Sequence, residues 1–206
     1  MTDSSRPLWE SRLGYILAQR DKAHTNPAPW RKTRAALRKG NSPHTEHWAY
    51  PEVLPYADPT FSDEQKTILI RLFALVAEFD GITQYRATEP SRHRSFGQWA
   101  FHVSSALAKA KNESFTPNPD ELDAVGQRLQ FLHSLDGEEA LANVSRIMQL
   151  ASGLPGPVPA IDFYELFRTF LYWGKGFTPA SQQVRRRILR DYFSAFSTPK
   201  TESTND

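Results

Sequence analysis

The chain has 206 residues, 39% hydrophobic and 12% aromatic, enough apolar material for a buried core and too much for wholesale disorder. It contains no cysteine, which excludes disulfides, cysteine-ligated zinc, iron–sulfur clusters and thiol catalysis. The formal charge is only +2, no stretch approaches the ~20 apolar residues of a membrane span, and the first ten residues lack the apolar run of a signal peptide, so the expectation is a cytoplasmic protein.

The coarse pattern predicts an all-α fold. Leu8, Trp9, Leu13, Ile16 and Leu17 recur at helical spacing. Pro27 and Pro29 then interrupt, and a short basic helix over 30–39 stops at Gly40. Four prolines make 41–60 irregular, with a helical turn or two around 47–56, and Trp48, Tyr50 and Tyr56 are expected to pin it to the body. Ser62 with Gln65 reads as a capping box, Asp63 and Glu64 suit the positive end of the helix dipole, and the apolar run from Ile68 to Phe79 carries this helix to Gly81. A polar loop over 83–94 precedes a helix over 96–111.

Asn118 and Pro119 look like a cap and first helical position, opening a helix carried by Leu122, Val125, Leu129 and Leu132. Asp136 starts another, which ends at Gly153. Prolines make 154–159 a turn, and Asp162 with Glu165 caps a helix dense in aromatics that breaks at Gly174 and Gly176. Thr178 and Pro179 open a final helix to about residue 196. The expected organisation is two small helical subdomains: residues 1–112, with the basic helix and a proline-rich connection, and residues 113–197, an antiparallel helical bundle with short connections. Residues 198–206 are expected to form a flexible tail.

Catalytic signatures are missing: there is no phosphate-cradling glycine loop and no nucleophile elbow. His44 and His47 are three apart but lack an accompanying carboxylate motif, so a metal-dependent phosphodiesterase using His44, His47, His93 or His102 ranks last. Asp120, Glu121 and Asp123 suit dipole complementation at a helix start. No metal, cofactor or catalytic residue is expected.

Charge is informative in its distribution. Net charge is +3 over 1–60, −2 over 61–91, +4 over 92–112, −7 over 113–165, +6 over 166–200 and −2 over 201–206. Such sorting implies opposed surface fields. In the helix over 30–39, Arg31, Arg34 and Arg38 project within about 60° of one another, with Lys32 and Lys39 flanking them. Arginine's planar fork suits phosphate oxygens. Arg92, Arg94, Lys109 and Lys111 form a second acid-free block. Arg186, Arg187 and Arg190 form a third, outside the apolar arc of the last helix, while Arg185 falls at its boundary and can snorkel or pair. No base-reading motif accompanies these clusters, so the expected mode is salt-dependent backbone binding, indifferent to sequence. A helical protein-interaction adaptor that binds no nucleic acid directly is the alternative.

Several segments in order carry a resemblance: Arg34-Ala35-Ala36-Leu37-Arg38-Lys39-Gly40, then Tyr50 to Tyr56, Ser95-Phe96-Gly97 with Ala106-Leu107, Arg128-Leu129, Val144 to Leu150 with Arg146, Ile161-Asp162 through Leu171-Tyr172-Trp173-Gly174, and Val184 to Phe193. Together they resemble the CasB family, the small subunit of the type I-E CRISPR surveillance complex Cascade. Gln127 and Phe193 depart from the family pattern at single positions, and Gln127 weakens the case for a phosphate contact around Arg128.

The resemblance implies an all-helical, non-enzymatic subunit that pairs head to tail with a second copy and assembles with the other Cascade subunits, backbone and large. It implies contacts to guide RNA and to target and displaced DNA strands that stabilise the R-loop in antiviral defence. The positions that match are Arg34, Arg38, Lys39, Arg128, Arg146, Arg186, Arg187 and Arg190.

Overall fold

In the computed structural model, the described residues are 7–87, 93–174 and 178–195. They build an all-α fold: α1 (Leu8–Asp21), α2 (Pro27–Arg38), α3 (Tyr50–Val53), α4 (Asp63–Glu78), α5 (Phe96–Ala110), α6 (Ala124–Gln130), α7 (Gly137–Ser152), α8 (Phe163–Leu171) and α9 (Pro179–Ser194), with short 3-10 turns between. The only extended pairing among the described residues is a parallel bridge of Gln84 with Ile161, where Tyr85 N donates to Ile161 O at 2.7 Å.

Helix α4 is the centre. Ser62 and Gln65 close its capping box, and every residue from Ile68 to Ala77 is buried. A helix covered on all sides needs apolar residues around its circumference, and the lone exception, Arg71, is neutralised. Its guanidinium donates to Gly40 O at 2.5 Å and pairs with Glu46 at 2.7 Å and Glu138 at 3.0 Å. Helix α2 lies on α4, and Gly40 permits the approach: a Cβ there would stand 2.9 Å from Ile70 Cγ2.

Helix α5 crosses α9 with the backbones in contact at Gly97. The same pair is tied by Ser104 Oγ and Tyr192 Oη at 3.0 Å, and Tyr192 Oη donates to Asp123 Oδ1 at 2.8 Å. One apolar core runs from Trp9 to Tyr192. Its aromatic spine stacks Trp9 on Phe167 (5.6 Å), Phe167 edge-on to Phe73 (4.9 Å) and Phe170 on Trp173 (4.9 Å). Such pairs add to burial through ring quadrupoles.

Four expectations need correction. Helix α2 begins at Pro27, because proline in the first turn has no hydrogen bond to lose. Asn118 does not cap a helix: its Oδ1 accepts from Asp120 N in a local turn, and α6 starts six residues later, where Asp123 accepts from Gly126 N at 2.9 Å. Leu8 is 56% exposed and takes no part in the buried face of α1. The 41–60 segment is pinned chiefly by Ala49 and Val53, both fully buried, whereas Trp48 is 56% and Tyr50 36% exposed. Gly176, residue 196 and the tail lie outside the described residues.

Candidate nucleic-acid interface

The first basic cluster divides by partner. Arg34 is half-buried; its Nε donates to Ala77 O at 2.9 Å and lies 3.2 Å from Asp80. Arg38 grips Glu78 with two bonds of 2.5 and 2.9 Å, and that carboxylate pushes its already high pKa higher. Both arginines therefore sit against the C-terminal end of α4, where cations complement the dipole. Arg31 and Lys32 stand exposed on α2 with no acidic partner among the described residues. Lys39, also exposed, sets its ammonium 4.3 Å from the ring centroid of Trp48.

In the second cluster Arg94 has structural partners. Arg94 stacks over Tyr85 at 4.1 Å and donates to Ala160 O at 3.0 Å, linking itself and Tyr85 to the chain before α8. Desolvation lowers its pKa. Lys111 is exposed at the C-cap of α5. Arg92 lies outside the described residues. His93 Nδ1 is 3.5 Å from Asp162 Oδ2. No group of three or more His, Asp or Glu side chains among the described residues is arranged to hold a metal ion.

On α9, Arg186, Arg187 and Arg190 all face solvent. Arg187 and Arg190 share one carboxylate, Asp191, at 3.3 and 3.6 Å, so a single negative charge serves two cations. Arg185 is buried. It lies over Trp173 at 4.9 Å and donates to the carbonyls of His133, Leu135, Trp173 and Gly174, and burial lowers its pKa. Arg128, half-buried on α6, bonds the carbonyl of Ala124 in its own helix. Arg146 is exposed on α7 beside Asn143 at 3.2 Å and borders a 540 Å³ groove between α4 and α7. Helices α2 and α9 pack chiefly on different partners, α4 and α5.

Six of the nine acidic residues in the 113–165 segment have a structural partner, while Glu113, Asp120 and Glu121 stand exposed. Asp123, Asp136 and Asp162 cap helices, Glu139 completes a capping box, Glu138 meets Arg71, and Glu165 meets Arg168 at 3.0 Å. Trp48 is the feature that sequence reasoning missed. It sits in a proline-rich stretch without periodicity, so no local pattern separates an outward from an inward indole.

An all-helical body with basic helix faces and no extended sheet among the described residues defines a class of helical scaffold. Residues 33–193 match the family model described as CRISPR-associated protein Cse2, and the chain belongs to that family. No curated protein matches it. Among solved structures, it is similar to CasB from Thermus thermophilus (21% identity, 88% of this chain, 97% of that chain, TM-score 0.56). It is also similar to a second structure from Thermus thermophilus, a CRISPR-associated protein of the Cse2 family (22% identity, 88% and 97%, TM-score 0.53). A chain of a CRISPR RNA-guided surveillance complex matches at 19% identity over 92% of this chain and 95% of that one, with a TM-score of 0.59. These likenesses show the fold, and the CasB resemblance seen in the sequence agrees with them. No helix among the described residues is long and apolar enough to cross a membrane.

Proposed function

We propose that the chain is the non-catalytic small subunit of a type I-E CRISPR RNA-guided surveillance complex, binding the backbones of guide RNA and DNA and holding the displaced strand. Membership of the Cse2 family and the likeness to a chain of such a complex support the assembly. The observation that carries the nucleic-acid role is the set of exposed cations without acidic partners among the described residues: Arg31, Lys32 and Lys39 around α2, and Arg186 on α9. Arg187 and Arg190, which share one carboxylate, add surplus charge. R-loop formation is nearly balanced in energy, so a few phosphate contacts to the displaced strand tip it. The partners in this reading are the other Cascade subunits, guide RNA, the two DNA strands and a second copy of the chain, head to tail.

The test is binding of a labelled single-stranded oligonucleotide by the full chain across a salt series. Each phosphate contact contributes a slope of about −0.7 in log K against log salt. Joint alanine replacement of Arg31, Lys32 and Lys39 flattens the slope by about 2 if each holds one phosphate. An unchanged slope sinks the α2 assignment, and failure to bind at low salt favours the protein-interaction adaptor.

A further inference from the structure

Of the five tryptophans, four are used inside the fold. Trp9, Trp30, Trp99 and Trp173 are 5% exposed or less. The indoles of Trp30, Trp99 and Trp173 donate to Asp80, to Pro159 O and to Leu135 O. Trp48 is 56% exposed. A ring of this size left in water forgoes the largest burial gain any side chain offers, so its exposure invites a role in contact.

Its support is rigid. Trp48 ends a 3-10 turn, Glu46–Trp48, whose next residue, Ala49, is fully buried and donates to Glu46 O at 2.8 Å. Trp48 N donates to Thr45 O at 3.1 Å, and Thr45 Oγ1 donates to Lys39 O at 2.7 Å, tying the turn to the end of α2. Glu46 is held by Arg71 and accepts from Tyr50 Oη at 2.8 Å, so the nearest carboxylate in the turn is already neutralised. His47 flanks the indole at 5.3 Å.

Trp48 has a cation against its ring. Lys39 lies over it, and Lys32, seven residues earlier, leaves α2 in nearly the same direction, almost two turns away. No acidic residue occurs from 23 to 45. Proteins that hold single strands combine such a basic track with an aromatic face, because every base offers a π-surface whatever its identity.

We propose that Trp48 is a stacking platform for an unpaired nucleobase, with Lys39 and Lys32 neutralising adjoining phosphates of the same strand. This rests on the single-strand-binding role above and adds a base contact that a pure backbone binder lacks. The contact is sequence-tolerant and requires an unpaired base, so it selects a displaced strand over duplex.

The experiment compares a labelled oligothymidylate with an abasic strand of equal length, both titrated with the full chain. The oligothymidylate binds about tenfold more tightly, the size expected for one stacked base. It quenches an emission component that disappears in Trp48→Phe, since the other tryptophans are buried. Trp48→Ala removes the tenfold preference without changing affinity for the abasic strand, and Trp48→Phe keeps most of it. Lys39→Ala weakens both strands alike. Equal affinity of the parent for the two strands overturns the stacking contact while leaving backbone binding intact. No binding to either strand overturns both. Loss of self-association in Trp48→Ala with unchanged strand binding assigns the indole to a protein interface and overturns the proposal.

Discussion

Gly97 on α5 lies against the main chain of Ile188 on α9: a Cβ at this glycine would fall inside the contact radius of the Ile188 carbonyl oxygen and 2.9 Å from Tyr192 N. The obstacle is backbone, which no rotamer change can move. Gly97→Ala therefore separates the two helices, and the cost, about 1–3 kcal/mol, outweighs the ~1 kcal/mol that alanine gains as a better helix former. Thermal unfolding checks this: the variant melts lower than the parent, and an equal or higher melting temperature contradicts the close approach.

The Tyr192 hydroxyl serves Ser104 and Asp123 together. Burial, and then the Asp123 carboxylate, raise its pKa, so it stays a proton donor at all ordinary pH. Tyr192→Phe leaves Asp123 without this bond at the start of α6 and costs about 1–2 kcal/mol. Hydrogen exchange locates the effect: the Gly126 amide, which donates to Asp123, exchanges faster in the variant while the middle of α4 is unchanged.

Two buried arginines give opposite outcomes on replacement by methionine. Arg185 donates to four carbonyls, and its loss leaves those of His133 and Gly174 with no other donor among the described residues. Arg185→Met lowers stability by about 2–3 kcal/mol. Arg20 is 7% exposed, lies 5.1 Å over the Phe163 ring, and has no hydrogen-bond partner among the described residues for either terminal nitrogen. Its pKa is lowered by desolvation, which marks a charge held at a cost. Arg20→Met raises stability by about 1 kcal/mol. Urea denaturation of both variants tests the contrast.

The arginines of α2 separate by the same logic. Alanine at Arg34 and Arg38 removes partners of Ala77 O, Glu78 and Asp80, and is expected to lower the melting temperature while changing the salt slope of strand binding little. Alanine at Arg31 and Lys32 does the reverse, since neither has an acidic partner among the described residues. Parallel melting and binding curves on the two double variants decide it, and identical behaviour of the pairs contradicts the division.

Local chemistry is legible in the sequence. Ser62, Asp136, Asp162 and Thr178 cap their helices as the residue types and spacing indicate, because a cap needs only partners two or three residues away. Asn118 misleads for the same reason: its side chain closes a turn that looks, over three residues, like a helix start. Asp123 reads from the sequence only as a dipole-complementing carboxylate, and its bond to Tyr192 spans 69 residues. The arginine stripe of α2 is visible as a stripe, but the engagement of Arg38 with Glu78 lies 40 residues away. A helical wheel shows which side chains share a face and does not show what the face meets.

A single guanidinium, that of Arg71, joins the turn after α2, the turn carrying Trp48 and the first turn of α7. The first two are also tied to each other through Thr45 and Lys39, whereas α7 is remote in the sequence, 98 residues separating Gly40 from Glu138. The arrangement resembles a keystone, one buried block on which three stretches of chain bear. Glu138 lies well away from the basic helix in sequence and is half-exposed, yet it shares the guanidinium that holds Glu46, two residues before the exposed indole.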